Sequence, residues 1–287
     1  MLFNTNKGFY VKKLLTNATV GDIAGSAYEG RSHRTKVYNE VKIFSFRDLK
    51  AFDWMLVCGV TACTVLNSCY FCHSLSDFDW LGTIAVVTGI MSVVLTTHAN
   101  IMNYVFGLVN VIAYAIISYK SNVLGDCLLY LLYYLPMQIV GWIFWSRHTM
   151  EENSAKVSPE RMSNSSRVLT IVVSVMSVIV LGMLLSWLKS IAQEHPFIEE
   201  WRLYSEYPYR DAITTVFAII GQYLMVRAFS EQWFFWIGVD VVSLSIWAML
   251  AVGGANHAAL MAIMYVFYLA NCVNVAILWR RKTNITK

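Results

Sequence analysis

Residues 234–250 read FFWIGVDVVSLSIWAML. The run is apolar enough to sit in a bilayer, yet Asp240 stands near its middle, with Trp233, Trp236 and Trp247 at helical spacing around it. A carboxylate inside a membrane costs several kcal/mol unless it is paired or hydrated. The composition supports the membrane reading. The chain has 287 residues, 57% hydrophobic and 14% charged, with a mean hydropathy of +0.52. A soluble domain carries about 25% charged residues. A large soluble core and a nucleic-acid partner are both excluded on these grounds.

A spanning helix needs roughly 20 apolar residues. Eight runs qualify, at 53–72, 80–98, 101–119, 124–145, 168–188, 211–229, 233–252 and 257–279, and the first is the most polar of them. Positively charged loops favour the cytoplasm. With eight spans and a cytoplasmic N-terminus, all but four Lys and Arg fall inside, the exceptions being Lys120, Lys189, Arg202 and Arg210. Seven spans would break that asymmetry. Both termini are therefore expected in the cytoplasm. The expected organisation is a basic segment 1–51, an extra transmembrane helix 52–72, a three-helix repeat 79–145, a loop and connector helix 146–189, a second three-helix repeat 210–279, and a basic tail 280–287. Within the first segment, VKIFSFRDLKAF (41–52) is expected to form an interfacial helix.

The fold class expected is an all-α integral membrane protein, one extra helix followed by a 3+1+3 core with two parallel repeats. The repeats align when NYVFGLVNVIAYAIIS, from Asn103, is set against WFFWIGVDVVSLSIWA, from Trp233. Asn103 then faces Trp233, Phe106 faces Trp236, and Asn110 faces Asp240. The third helices, LPMQIVGWIFW (135–145) and YLANCVNVAILW (268–279), both end in Trp. Parallel-repeat carriers place their site between the repeats near the midplane.

Residues three, four and seven apart share a helix face. Asn103, Asn110 and Tyr114 fall on one such face. Tyr130, Tyr134, Gln138 and Trp142 step by four, and Tyr268, Asn271 and Asn274 step by three. Trp233, Trp236 and Asp240 face the same way, and Gln222 adds an amide from the sixth span. Lone amides in membranes often serve only to join helices; it is their convergence from both repeats that favours a site. Trp54, Trp80, Trp145, Trp187 and Trp279 lie at span ends and read as an interface belt. Pro136 removes a helix hydrogen bond, so it and Gly107 are candidate hinges. The six cysteines form no metal-binding pattern, since CYFC (69–72) has no second pair. No phosphate-binding loop, dinucleotide fingerprint or zinc motif occurs, so no cofactor or catalytic residue is expected. Aromatics, amides and one acid suit a flat, hydrogen-bonding solute, neutral or cationic. Asp240 has three open roles: neutralising a positive ring, binding ribose hydroxyls, or joining helices.

NYVFGLVNVIAYAIISYKSNVLGDCLLYLLYYLPMQIVGWIFW (103–145) resembles the signature half of the PnuC nicotinamide riboside transporters, and EQWFFWIGVDVVSLSIW (231–247) is similar to that family's W-x-x-W helix. The resemblance covers about residues 80–280. It implies a bacterial inner-membrane carrier for nicotinamide riboside, a fold related to SWEET sugar transporters, and a homotrimer. It also implies facilitated diffusion, with a cytoplasmic kinase phosphorylating and trapping the substrate. Its matched positions are Asn103, Gly107, Asn110, Gln138, Trp142, Trp233, Trp236, Asp240 and Asn271. Related carriers move thiamine or riboflavin, which leaves the substrate open, and proton coupling through Asp240 stays an alternative. A membrane enzyme would need a metal or paired-carboxylate motif, and a channel a continuous polar stripe; the spans show neither.

Overall fold

The computed structural model describes residues 2–4, 8–14, 38–44, 49–71, 80–120, 123–151, 157–253 and 258–285. From residue 51 onward the regular structure is helical: α1 (Ala51–Phe71), α2 (Trp80–Thr97), α3 (Asn103–Lys120), α4 (Leu124–Leu129), α5 (Leu135–Glu151), α6 (Asn164–Ile191), α7 (Pro196–Glu200), α8 (Pro208–Val226), α9 (Gln232–Val252) and α10 (Ala258–Ile285). Ahead of them β1 (Leu2–Asn4), β2 (Gly8–Leu14) and β3 (Tyr38–Phe44) form an antiparallel sheet in the order β1-β2-β3. Residues 41–44 thus belong to a strand and residues 51–52 to α1, so the helix expected at 41–52 does not begin at Val41; residues 45–48 lie outside the described residues. The reason is period: Val41 and Ile43 alternate with Glu40 and Lys42, a two-residue repeat that suits a strand.

Among the described residues, four helical stretches are long and apolar enough to cross a bilayer: Trp80–Thr97, Leu124–His148, Asn164–Glu194 and Gln232–Val252. Asn164–Glu194 is the most apolar, with a mean hydropathy of 2.8. Its Val168, Leu169, Ile171 and Val172 are more than half exposed, as expected of side chains that face lipid. The protein is an integral membrane protein. α2 packs on α3, α3 on α4 and α5, α8 on α9, and α9 on α10, while α6 and α5 both lie against α8.

Between α4 and α5 the helix continues through a π turn, Tyr130–Tyr134. Pro136 has no N–H to give the Leu132 carbonyl, and the ladder loosens one turn earlier: the Leu135 N–H donates to Tyr130 O, five residues back. Proline expels a bond and the helix widens instead of breaking.

One turn occurs twice. Ala99 and Ala228 have φ of 53° and 55°, a conformation that L-residues avoid. The Ala99 and Asn100 N–H groups donate to Thr96 O and Leu95 O, and the Ala228 and Phe229 N–H groups to Met225 O and Leu224 O, all at 2.9 Å. This left-handed closure ends α2 and α8 in the same way. It pairs Asn103 with Gln232, one residue away from the register read in the sequence, where Asn103 faced Trp233. The spacing of aromatic residues misled that alignment; the backbone of the turn sets it.

The two copies are cross-linked. Trp145 Nε1 donates to Val226 O and Trp279 Nε1 to Thr97 O, each at 3.0 Å. Both indoles are 0% exposed. They are therefore pins between the halves and not members of an interface belt. Trp54, Trp80 and Trp187 are exposed. The segment before α6 ties the same turns together: the Val157 N–H donates to Ala99 O at 3.0 Å and the Glu160 N–H to Ala228 O at 2.9 Å. Ser230 N–H returns a bond to Glu160 O at 2.9 Å.

Candidate substrate cavity

A cavity of about 330 Å³ lies between α2, α3, the α4–α5 helix, α8, α9 and α10, within the size range of small-molecule sites. Helix pitch explains which side chains reach it. On α3, Asn110 and Tyr114 line the cavity and Gly107 forms part of its wall. Asn110 Nδ2 donates to Ala85 O at 2.6 Å, which fixes the amide against α2. On the α4–α5 helix, Tyr134 and Gln138 line it, and the π turn brings Tyr130 to the same wall. Tyr130 stacks on Tyr114, with centroids 5.4 Å apart and planes at 12°. Tyr133 points elsewhere, its hydroxyl donating to Ile219 O on α8 at 2.5 Å. Gln222 of α8, Trp233, Trp236 and Asp240 of α9, and Tyr268 of α10 complete the expected set.

Four expected residues do not line the cavity. Asn103 lies about 10 Å further along α3 than Asn110, at a rise of 1.5 Å per residue. It organises the turn, with Nδ2 donating to Asn100 O at 2.8 Å and its carbonyl accepting from Ser92 Oγ at 3.0 Å. Trp142 packs against the apolar core; steps of four drift by about 40° each, and by residue 142 the face has turned away. Steps of three drift by about 60° the other way. Asn271 is accordingly buried beside the cavity wall and Asn274 is exposed. Gly107 and Pro136, the expected hinges, differ in their surroundings. α3 runs unbroken through Gly107, where a Cβ would lie 2.5 Å from Gln138 Oε1 and 3.2 Å from Ser92 Oγ. The glycine makes room for an amide. Pro136 is exposed and acts through the π turn before it.

Sequence reasoning missed Tyr265, Cys272, Ser92 and Met225, and singled out Tyr130 only as part of a face; all five line the cavity. Tyr265 and Cys272 stand within about 60° of Tyr268 around α10, and both line the cavity with Asp240. The usable signal was the tyrosine three residues before Tyr268; Ser92 and Met225 carry none.

The lining is poised for a polar ligand. Gln138 Oε1, Gln222 Nε2, Trp233 Nε1 and Asp240 Oδ2 are buried with no hydrogen-bond partner among the described residues. Each such atom costs on the order of 1–3 kcal/mol when nothing bonds it. Trp233 is held edge-on to Trp279, with centroids 5.6 Å apart, so the pin that joins the halves also positions a cavity wall. Asp240 is the one acidic or basic side chain among the described lining residues other than tyrosine and cysteine.

A family model described as nicotinamide mononucleotide transporter matches residues 79–281. The nicotinamide riboside transporter PnuC of Neisseria mucosa is 32% identical over 203 residues, covering 71% of this chain and 73% of that protein. The nicotinamide riboside transporter PnuC of Haemophilus influenzae is 28% identical over 171 residues, covering 59% of this chain and 69% of its own. Among solved structures, one described as the crystal structure of the vitamin B3 transporter PnuC matches with a TM-score of 0.61 and 28% identity, over 83% of this chain and 94% of that one.

Proposed function

The chain belongs to the nicotinamide mononucleotide transporter family, and from that membership and the chemistry of the cavity we propose that it carries nicotinamide riboside and not the phosphorylated mononucleotide. It is a transporter and not an enzyme. The two solutes differ by a phosphate of about −1.5 to −2 charge. The observation that carries the choice is Asp240, buried in a lining with no Lys, Arg or His among its described residues. A phosphate entering there would meet an acid and no cation, at the full cost of a buried unpaired charge. A pyridinium ring meets the opposite: a carboxylate and the indole faces of Trp233 and Trp236, which attract cations. The amides of Asn110, Gln138 and Gln222 match a carboxamide and ribose hydroxyls in donor and acceptor capacity, with Tyr114, Tyr134 and Tyr268 as further partners. Thiamine also has a cationic ring and is the second reading on the same observation; riboflavin has none.

The family membership and the recurring turn support one transport cycle. Eight spans form an extra helix and a 3+1+3 core, with repeats at 79–145 and 210–279, α6 as the connector, and both termini in the cytoplasm of a bacterial inner membrane. Rocking of one repeat against the other exposes the cavity to each side in turn, with the Trp145 and Trp279 pins near the pivot. Transport is facilitated diffusion, the protein is a homotrimer, and a cytoplasmic kinase traps the substrate by phosphorylation. Coupling to protons through Asp240 is the alternative cycle. The test is uptake of labelled nicotinamide riboside into proteoliposomes, with unlabelled competitors. Competition by riboside but not by mononucleotide is expected; equal competition by the mononucleotide refutes the charge argument, and competition by thiamine alone transfers the substrate to that vitamin.

A further inference from the structure

Of the three tyrosines in the π turn (Tyr130–Tyr134), Tyr130 and Tyr134 line the substrate cavity and Tyr133 does not. Tyr133 is half-buried, and its hydroxyl donates to Ile219 O of α8 at 2.5 Å. A helical carbonyl has a second lone pair with which to accept such a bond. The bond crosses a helix contact, since α5, into which the π turn continues, packs against α8. Polar bonds of this kind join helices in membranes, and a joint would need nothing more. Here both ends of the bond lead into the cavity.

On the tyrosine side the path is a run of rings. Tyr133 lies edge-to-face against Tyr134, with centroids 5.3 Å apart and planes at 66°. Tyr134 is 5.2 Å from Tyr130, and Tyr130 stacks on Tyr114 of α3. Tyr114, Tyr130 and Tyr134 line the cavity, and Tyr133 holds the bond. On the α8 side, Ala218 and Gln222 line the cavity, and Ile219 lies between them in sequence. Gly221 belongs to the same turn. A Cβ there would lie 3.1 Å from Trp236 Cε2 and 3.3 Å from its Nε1, so the indole is seated on the α8 backbone. α8 thus stands between two parts of the lining, with the tyrosine run fastened to it at Ile219 and Trp236 resting on it at Gly221.

We propose that Tyr133 is a positioning residue for the substrate: its bond to Ile219 O fixes the spacing between the tyrosine run and Trp236, and so the fit of a flat ring among them. This role rests on the reading of the cavity as the carrier's binding site. The distance dependence is steep. A gap of about 0.5–1 Å beyond contact forfeits a quarter to a half of the attraction between two atoms, and a site is precise when its side chains are locked by supporting neighbours. π turns recur at functional sites; here the widened turn presents two tyrosines to the cavity and a third to α8. Tyr133 touches no solute. It acts through Tyr134.

The test uses the full chain in detergent. Calorimetry reads nicotinamide riboside binding, and 3-fluorotyrosine in place of Tyr134 alone gives a fluorine NMR resonance for the ligand-free protein. Tyr133→Phe keeps the ring and removes the hydroxyl. It is expected to shift that resonance and to weaken riboside binding by roughly threefold to tenfold. Trp145→Phe is the control, since it removes a helix-joining bond outside the cavity lining. It should lower the melting temperature and leave resonance and affinity as in the native chain. A Tyr133→Phe protein with a lowered melting temperature but native resonance and affinity would overturn the proposal and leave Tyr133 a helix joint. Movement of one reading without the other would overturn it as well, and so would equal movement in Trp145→Phe. If the native chain does not bind the riboside, the substrate reading fails by itself, and the resonance still decides whether Tyr133 places Tyr134.

Discussion

Gly107 and Gly141 show how two glycines in neighbouring helices serve different ends. At Gly107 an added methyl meets the far end of Gln138, an amide that can swing. At Gly141 it meets the ring of Tyr104, which is 2% exposed and packed edge-on against Trp145 at 5.2 Å. A buried ring has nowhere to go. Gly107→Ala is therefore expected to leave the melting temperature nearly unchanged while weakening substrate binding by one hydrogen bond, about 1 kcal/mol or roughly fivefold. Gly141→Ala is expected to cost about 1–3 kcal/mol of stability, read as a lowered melting temperature in the same detergent. Equal thermal losses in the two variants would mean that Gln138 is as rigidly held as Tyr104.

At the scale of elements, the pins matter most. Trp145→Phe keeps an aromatic ring but removes the Nε1–H and part of the buried indole, leaving Val226 O without its partner. A loss of about 1–3 kcal/mol is expected, and Trp279→Phe should match it through Thr97 O. Thermal melting of the single and double variants checks both; losses near zero would mean that neither indole bond contributes to stability. The same elements show what could be read in advance. Runs of apolar residues located the helices because a bilayer demands length and hydrophobicity and little else. Asp240, Gln138, Trp233 and Trp236 were legible because polar or amphipathic side chains in such runs have few places to go. Trp145 and Trp279 were not, since an indole at a span end looks alike whether it faces a headgroup or a carbonyl. Asn274 was misplaced because counting by threes accumulates rotation. Tyr130 depended on a π turn, which Pro136 signals only as an irregularity.

Across the whole molecule, one turn and one indole contact each occur twice. α2 and α8 each end in a left-handed alanine, and Trp145 and Trp279 bond to Val226 O and Thr97 O just ahead of those two turns. These contacts hold one end of the bundle together. Facilitated diffusion makes a definite prediction at this scale. In proteoliposomes without kinase, internal nicotinamide riboside should rise to the external concentration and stop, with or without an imposed pH gradient. Accumulation above that level under an inward proton gradient would establish proton coupling, and its loss in Asp240→Asn would assign the coupling to Asp240.

If charge in the cavity selects the solute, calorimetry on the purified protein will read it. Nicotinamide riboside and nicotinamide mononucleotide are titrated into the native protein and into Asp240→Asn, which preserves shape and removes the charge. A hydrogen bond to a charged group contributes about 1.5–3 kcal/mol. The native protein should bind the riboside and reject the mononucleotide; in Asp240→Asn riboside binding should fall by roughly tenfold or more and the gap between the two solutes should narrow. Tight binding of the mononucleotide by the native protein, or riboside affinity unchanged in Asp240→Asn, would contradict the account.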